Sequence, residues 1–206
     1  MHGIPQFISV DVIELSKISK ISKFRSGAGH DYSDDFESCR SMKHYFIPKS
    51  NVDRVSVKIF SPVNGTVIDR SEEYSIESGF WKGTVITIKS IDYPAFYVII
   101  YHVDLISELN VGDEVVAGQE LGRPADYENL TIADTAVGVI TPEGYKLVSY
   151  FDVMTDFLFQ NYQARGLSSR ADIIISKEER DADPLVCEGE EEFIYTGNLE
   201  NWITLN

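Results

Sequence analysis

The stretch Gly29-His30-Asp31-Tyr32-Ser33-Asp34 is the densest set of potential ligands in the chain, and it lies in a glycine-rich loop ahead of the strand-forming region. An imidazole and a carboxylate that converge there could hold a zinc ion. In catalytic sites that ion takes three protein ligands and keeps a fourth position for water. His30 and Asp34 are therefore candidate metal ligands, although a His-x3-Asp spacing describes a hydrogen-bonded loop histidine more often. A third ligand could come from Cys39-Arg40-Ser41-Met42-Lys43-His44-Tyr45, as the His44 imidazole or the Cys39 thiolate. The plainer reading of that segment makes Cys39 a small buried hydrophobe, with His44 and Tyr45 as packed loop side chains. A Cys39/His44 nucleophile pair would lack a third group to orient it.

These residues need a scaffold, and the pattern from Val55 onward supplies a β one. VSVKIF, TVIDR, TVITIKS and FYVIIYHV are short, β-branched or aromatic, and separated by turn residues. Strict alternation in the last of them sets Phe96, Val98, Ile100 and His102 on one face and Tyr97, Ile99, Tyr101 and Val103 on the other. The glycine turns Pro62-Val63-Asn64-Gly65 and Val111-Gly112-Asp113-Glu114 speak of sheet topology rather than catalysis. A strand is expected in TIADTAVGVI and another in KLVSYFDV. One helix is expected, in MTDFLFQNYQARG, with Gly166 as its stop. Residues 26–54 read as a long loop region. Phe193, Tyr195 and Trp202 are expected to anchor the tail to the body. The fold class is thus mainly β, an antiparallel barrel or sandwich with a C-terminal helix and β extension.

With 18 Lys plus Arg against 33 Asp plus Glu, the net charge of −15 disfavours nucleic acid and anionic membranes as partners. Residues 178–200 hold nine acids and one base, so that segment alone carries −8; a solvated acidic rim is the simple explanation. The basic SKISKISKFR stretch has a period of three that suits neither helix nor strand. Cys39 and Cys187 lie 148 positions apart with no CxxC, which leads us to expect reduced thiols. No secretory signal is visible in MHGIPQFISVDVIELSKISKISK, and no apolar run approaches the roughly 20 residues of a membrane span. A cytoplasmic location is expected.

In chain order, His30 and Asp34, SPVNGTV at 61–67, Tyr101-His102, and VGDEVVAGQELG at 111–122 resemble the lysostaphin/LytM-type zinc endopeptidase family. The resemblance covers about residues 24–153. It implies a LytM-like duplicated hybrid motif fold with an open groove for a peptide or protein ligand. It also implies zinc on His30 and Asp34, with His102 beside the metal as the catalytic histidine, so that His30, Asp34 and His102 should meet in one cleft. The chain then divides into a lead-in segment (1–23), the β core (24–153), and a C-terminal helix and acidic tail packed on that core (154–206). One departure is large. The family's His-x-His should fall in KLVSYFDVM, where setting Phe151-Asp152 against Phe-Glu puts Val148 and Tyr150 in place of the two histidines. Val148 cannot act as a base and Tyr150 is a poor zinc ligand, which leaves His44 as the substitute third ligand. The expectation is a catalytically degenerate module that binds a ligand or has a structural role; the alternative is an active zinc metallopeptidase with a non-standard third ligand.

Overall fold

The computed structural model describes residues 3–76, 78–127, 133–189 and 192–206. Residues 131–132 of the expected TIADTAVGVI strand, and Glu190 and Glu191 of the acidic segment, lie outside the described residues. The strands are β1 (Ile18–Ser22), β2 (His44–Pro48), β3 (Ile59–Phe60), β4 (Gly65–Tyr74), β5 (Trp81–Ser90), β6 (Phe96–Leu105), β7 (Glu114–Val115), β8 (Glu120–Pro124), β9 (Ala133–Thr141) and β10 (Gly144–Val148). C-terminal to them follow β11 (Val186–Glu188), β12 (Glu192–Tyr195) and β13 (Trp202–Thr204). Among the described residues eleven strands make one antiparallel sheet in the order β13-β1-β2-β9-β6-β5-β4-β7, with β10 beside β9 and β8 joining β6 to β3. The sheet is open between β13 and β7, and β11 pairs with β12 as a separate hairpin.

Side chains alternate between two apolar clusters because the strand period is two. Ile86, Ile88, Val98, Ile100 and Val137 face the larger core, with Phe151, Phe159 and Tyr162 packed over them. Their chain neighbours Val85, Tyr101 and Ala136 join Phe24, Met42 and Leu147 in a second cluster on the other face. Both faces of the central strands are therefore covered.

Among the described residues three α-helices occur where one was expected: α1 (Tyr150–Val153), α2 (Asp156–Gln163) and α3 (Lys177–Ala182). KLVSYFDV starts as β10 and breaks at Ser149, whose hydroxyl accepts from the Phe151 amide at 3.2 Å and so caps α1. Thr155 caps α2 in the same way, and Ser176 with Glu179 forms a capping box on α3. The loop region 26–54 contains β2, which is too short and too polar at its start for alternation to reveal. The basic 16–25 stretch contains β1, with Ile18, Ile21 and Ser22 buried. Arg180, the one base of the acidic segment, is fully buried and donates to the carbonyls of Arg25 (2.8 Å) and Asp183 (2.9 Å). Among the described residues no helix is long and apolar enough to cross a membrane.

The N-terminal segment is stitched to the helical layer. The Phe7 and Ile8 amides donate to the Val153 carbonyl at 2.8 and 3.0 Å, and the Val12 amide donates to the Tyr150 hydroxyl at 3.0 Å. The Tyr162 hydroxyl donates to the Asp11 carboxylate at 2.7 Å. Enclosure of that carboxyl raises its pKa from 3.8 to about 6 against the opposing hydrogen bonds. The fold thus favours the protonated acid. As pH rises from 4 to 6 the unfolded chain releases this proton first, and above about 6 the folded state carries the full cost of the buried charge. We expect stability to fall across that window by an amount on the order of 2 kcal/mol. Asp11→Asn, which keeps an acceptor for Tyr162, should flatten the dependence; urea midpoints at pH 4.5 and 7 that move equally in both proteins would show that Asp11 is not responsible.

Candidate functional site

The loop that carries His30 is built by its own acids. Ser26 and Ser41 exchange backbone hydrogen bonds at 3.1 and 2.9 Å and close the loop at its base. Asp31 accepts from the amides of Cys39 and Arg40 at 3.0 Å each. One Asp34 oxygen accepts from the amides of Phe36 (2.9 Å) and Glu37 (3.0 Å), and the other accepts from Leu147 on β10 at 2.9 Å. Glu37 lies between Arg25 and Arg40, each at 2.7 Å, and these cations hold its carboxyl below the usual range although burial acts the other way. At Gly29 the chain has φ +71° and passes over the Tyr45 ring so closely that a Cβ would sit 2.3 Å from it, so only glycine fits.

The same loop is clamped from behind by the C-terminal segment. Cys39 and Cys187 form a disulfide, in place of the reduced thiols expected. Sequence distance hid this pairing, because the β11–β12 hairpin returns to the site loop only through the tertiary fold. The Gly27 amide donates to Asn201 at 2.7 Å, and Arg40 pairs with Asp181 on α3 at 2.9 Å.

At the centre of the sheet β6 changes neighbour. It pairs with β9 through Ile100↔Thr135 and with β8 from Val103↔Pro124 onward. Its register against β5 slips between Thr84↔Val103 and Ile86↔Ile100, so that Tyr101 and His102 stand opposite the single residue Val85. This is a β-bulge, which re-aims a side chain. His102 has φ +59°, and Gly83 across from it has φ +115°, where a Cβ would meet the His102 carbonyl carbon at 2.5 Å. The bulge moves His102 off the Phe96–Val98–Ile100 face where alternation had set it, and Val103 takes the core position.

His102 turns into a group of charges. Its Nδ1 is 2.9 Å from Glu73 and its Nε2 is 3.3 Å from Asp134. Asp134 is buried on β9 beside Tyr45 of β2, and its other oxygen is 2.9 Å from the buried Lys43 ammonium. That ammonium is 3.5 Å from His30 Nε2 and lies over the rings of Tyr101 (3.5 Å to the centroid) and Tyr32 (4.3 Å), whose hydroxyls meet at 2.5 Å. Burial opposes ionisation of both His102 and Asp134. Neighbouring charge reverses it in both: Lys43 first and then His102 lower the Asp134 pKa, and Asp134 followed by Glu73 raises that of His102. Burial pushes the Tyr45 and Tyr101 phenols far above their ordinary value of 10, so both stay neutral.

The structure brings His30 and His102 towards one cluster, bridged by Lys43 and Asp134. It does not bring the other two expected residues there as ligands. Asp34 has both oxygens engaged by loop and β10 amides. His44 is 1% exposed between Phe24 and Phe151, with Nδ1 on the Ser22 carbonyl (2.8 Å) and Nε2 on the Ser149 hydroxyl (2.9 Å). Burial lowers its pKa to about 4, a neutral core histidine. Cys39 is closed off by the disulfide. Among the described residues no three His, Cys, Asp or Glu side chains are grouped as a metal requires, and the donor set does not fit zinc. It is β9, through Asp134, that sends a side chain to His102, and not the 146–154 segment: Val148 pairs with Val137, and Tyr150 opens α1 with its hydroxyl on Val12. Lys43, Asp134 and Glu73 were missed. The available signal was Asp134 itself, a lone acid in an apolar strand, since a buried carboxylate needs a partner.

No family model and no curated protein matches the chain. It is similar to solved structures of the kind its motifs resemble. One, from Ruminococcus gnavus and described as a glycyl-glycine endopeptidase lytM, shows 18% identity and a TM-score of 0.41 over 53% of this chain and 44% of that one. Lysostaphin shows 14% identity and a TM-score of 0.38 over 61% and 51%. The SpoIIQ-SpoIIIAH pore forming complex shows 12% identity and a TM-score of 0.48 over 78% and 98%. The match spans about half the length of the first two. At TM-scores below 0.5, none of these likenesses bears on what the site does.

Proposed function

We propose that this chain is a catalytically degenerate LytM/lysostaphin-like domain that works as a binding or structural module for a peptide or protein segment. The observation that carries this reading is the buried Lys43–Asp134 ion pair at 2.9 Å, set between His30 and His102. A hydrolytic zinc centre needs three ligands around the ion, an open water position and a base for that water. Here an ammonium stands among the imidazoles, Asp34 is engaged by amides, and His44 belongs to the core. The net charge of −15 speaks against nucleic acid and anionic membranes as the ligand. The Cys39–Cys187 bond supports an oxidising working environment in place of the cytoplasm first expected.

The test is a peptidase assay with glycine-rich and cell-wall-type peptides, on the intact oxidised protein with added zinc. We expect turnover at background, since positioned proton transfer alone contributes about 10²–10⁴-fold and the metal site is lost as well. Cleavage that disappears in His30→Ala would establish the zinc metallopeptidase instead.

A further inference from the structure

We propose that a cleft in the C-terminal layer, bounded by Lys23 just past β1, Asp152 on α1 and residues 199–200, binds a small zwitterion of the amino-acid class with an aliphatic side chain. The cleft has a volume of about 430 Å³, within the range of small-molecule sites. It is separate from the His102 group, none of whose members lines it. Ile174, Ile175 and Leu199 supply an apolar wall, Lys23 an ammonium, and Asp152 and Glu200 carboxylates.

Backbone bonds fix the walls in advance of any ligand. The Phe24 amide donates to the Ile173 carbonyl and the Ile175 amide to the Phe24 carbonyl, both at 3.0 Å. The Lys23 amide donates to the Asn201 carbonyl and the Leu199 amide to Asp183, both at 2.9 Å. Two other charged residues at the cleft are committed to the fold. Arg170 donates to the Phe151 and Met154 carbonyls at 2.7 and 2.8 Å and pairs with Asp156, and Glu179 accepts from the Ser176 amide and hydroxyl at 2.9 and 2.7 Å. Lys23, Asp152 and Glu200 remain, and among the described residues these three form no ion pair. The Asp152 carboxylate accepts from the Ser149 amide, and burial raises its pKa although Arg25 and Arg170 act the other way. A ligand ammonium supplies the missing counter-charge, a ligand carboxylate meets Lys23, and the aliphatic side chain covers the apolar wall. Two carboxylates against one ammonium disfavour a plain anion.

The experiment is calorimetric titration of the intact, disulfide-bonded protein with L-leucine, with leucinamide, which lacks the carboxylate, and with N-acetyl-leucine, which lacks the amine. Leucine should bind with a Kd below about 1 mM and each blocked form at least about 10-fold more weakly, the loss of one charge-assisted hydrogen bond. Lys23→Gln, which keeps the backbone bond to Asn201, should bind leucine and leucinamide alike. Asp152→Asn/Glu200→Gln should bind leucine and N-acetyl-leucine alike; if this double variant does not fold, the Lys23→Gln comparison decides alone. No leucine binding by the wild type up to about 10 mM overturns the proposal. Wild-type binding that is indifferent to the blocked ends or to either folded variant overturns it too, since the ligand then sits elsewhere. Neither result bears on peptidase turnover, so the degenerate-module reading stands or falls separately.

Discussion

Asp134→Ala is expected to destabilise the protein by about 3–5 kcal/mol, because it strands the Lys43 ammonium in the interior. Lys43 is 2% exposed and Asp134 1%, so water cannot take over the role of either partner. The exposed pair Arg54–Asp126, at 2.6 Å with the Asp126 side chain 81% exposed, is the control. Asp126→Ala should cost no more than about 1 kcal/mol, as surface ion pairs do. Replacing both buried partners at once, as Lys43→Met/Asp134→Leu, should recover most of the loss, since apolar substitutes of similar volume remove both desolvation penalties. Urea denaturation of the four proteins decides the matter. Equal costs for Asp134→Ala and Asp126→Ala would mean that the central pair is solvated and that the site is not closed by it.

Opening the disulfide should have an effect of similar size. Cys39 and Cys187 are 148 positions apart, so the bond closes a very long loop in the unfolded chain. Chain-entropy arguments then put its contribution at the upper end of the usual range, about 4–5 kcal/mol. Cys39→Ser, or the wild type in reductant, should shift the urea midpoint accordingly. Amide exchange should also accelerate in the loop between Ser26 and Ser41, because the bond ties that loop to the C-terminal hairpin. An unchanged midpoint, with exchange in the loop as slow as before, would show that Arg40–Asp181 and Gly27–Asn201 hold the two segments together without it.

Strand content was legible because β4, β5 and β6 are β-branched runs bounded by glycine turns, and their side chains divide between two apolar clusters. What alternation could not reveal is the point where it fails. His102 belongs to the motif order found in the sequence, yet its direction depends on a bulge that exists only because Gly83 lets β5 approach the His102 backbone. Lys43 escaped notice because lysine is a surface residue unless it is paired, and its partner is 91 positions away. Asp34 and His44 were attractive ligands by type, and each is accounted for by hydrogen bonds formed in the folded chain. The Ser149 cap ended a strand that hydrophobicity alone would have extended into α1.

The most direct test of a site closed by its own ammonium is the zinc content of the intact, disulfide-bonded protein after incubation with excess zinc and removal of the unbound ion. With Asp34 held by the Phe36, Glu37 and Leu147 amides, His44 in the core and Lys43 beside His30, the account predicts far less than one zinc per chain, unchanged in His30→Ala. One zinc per chain that is lost in His30→Ala would contradict it.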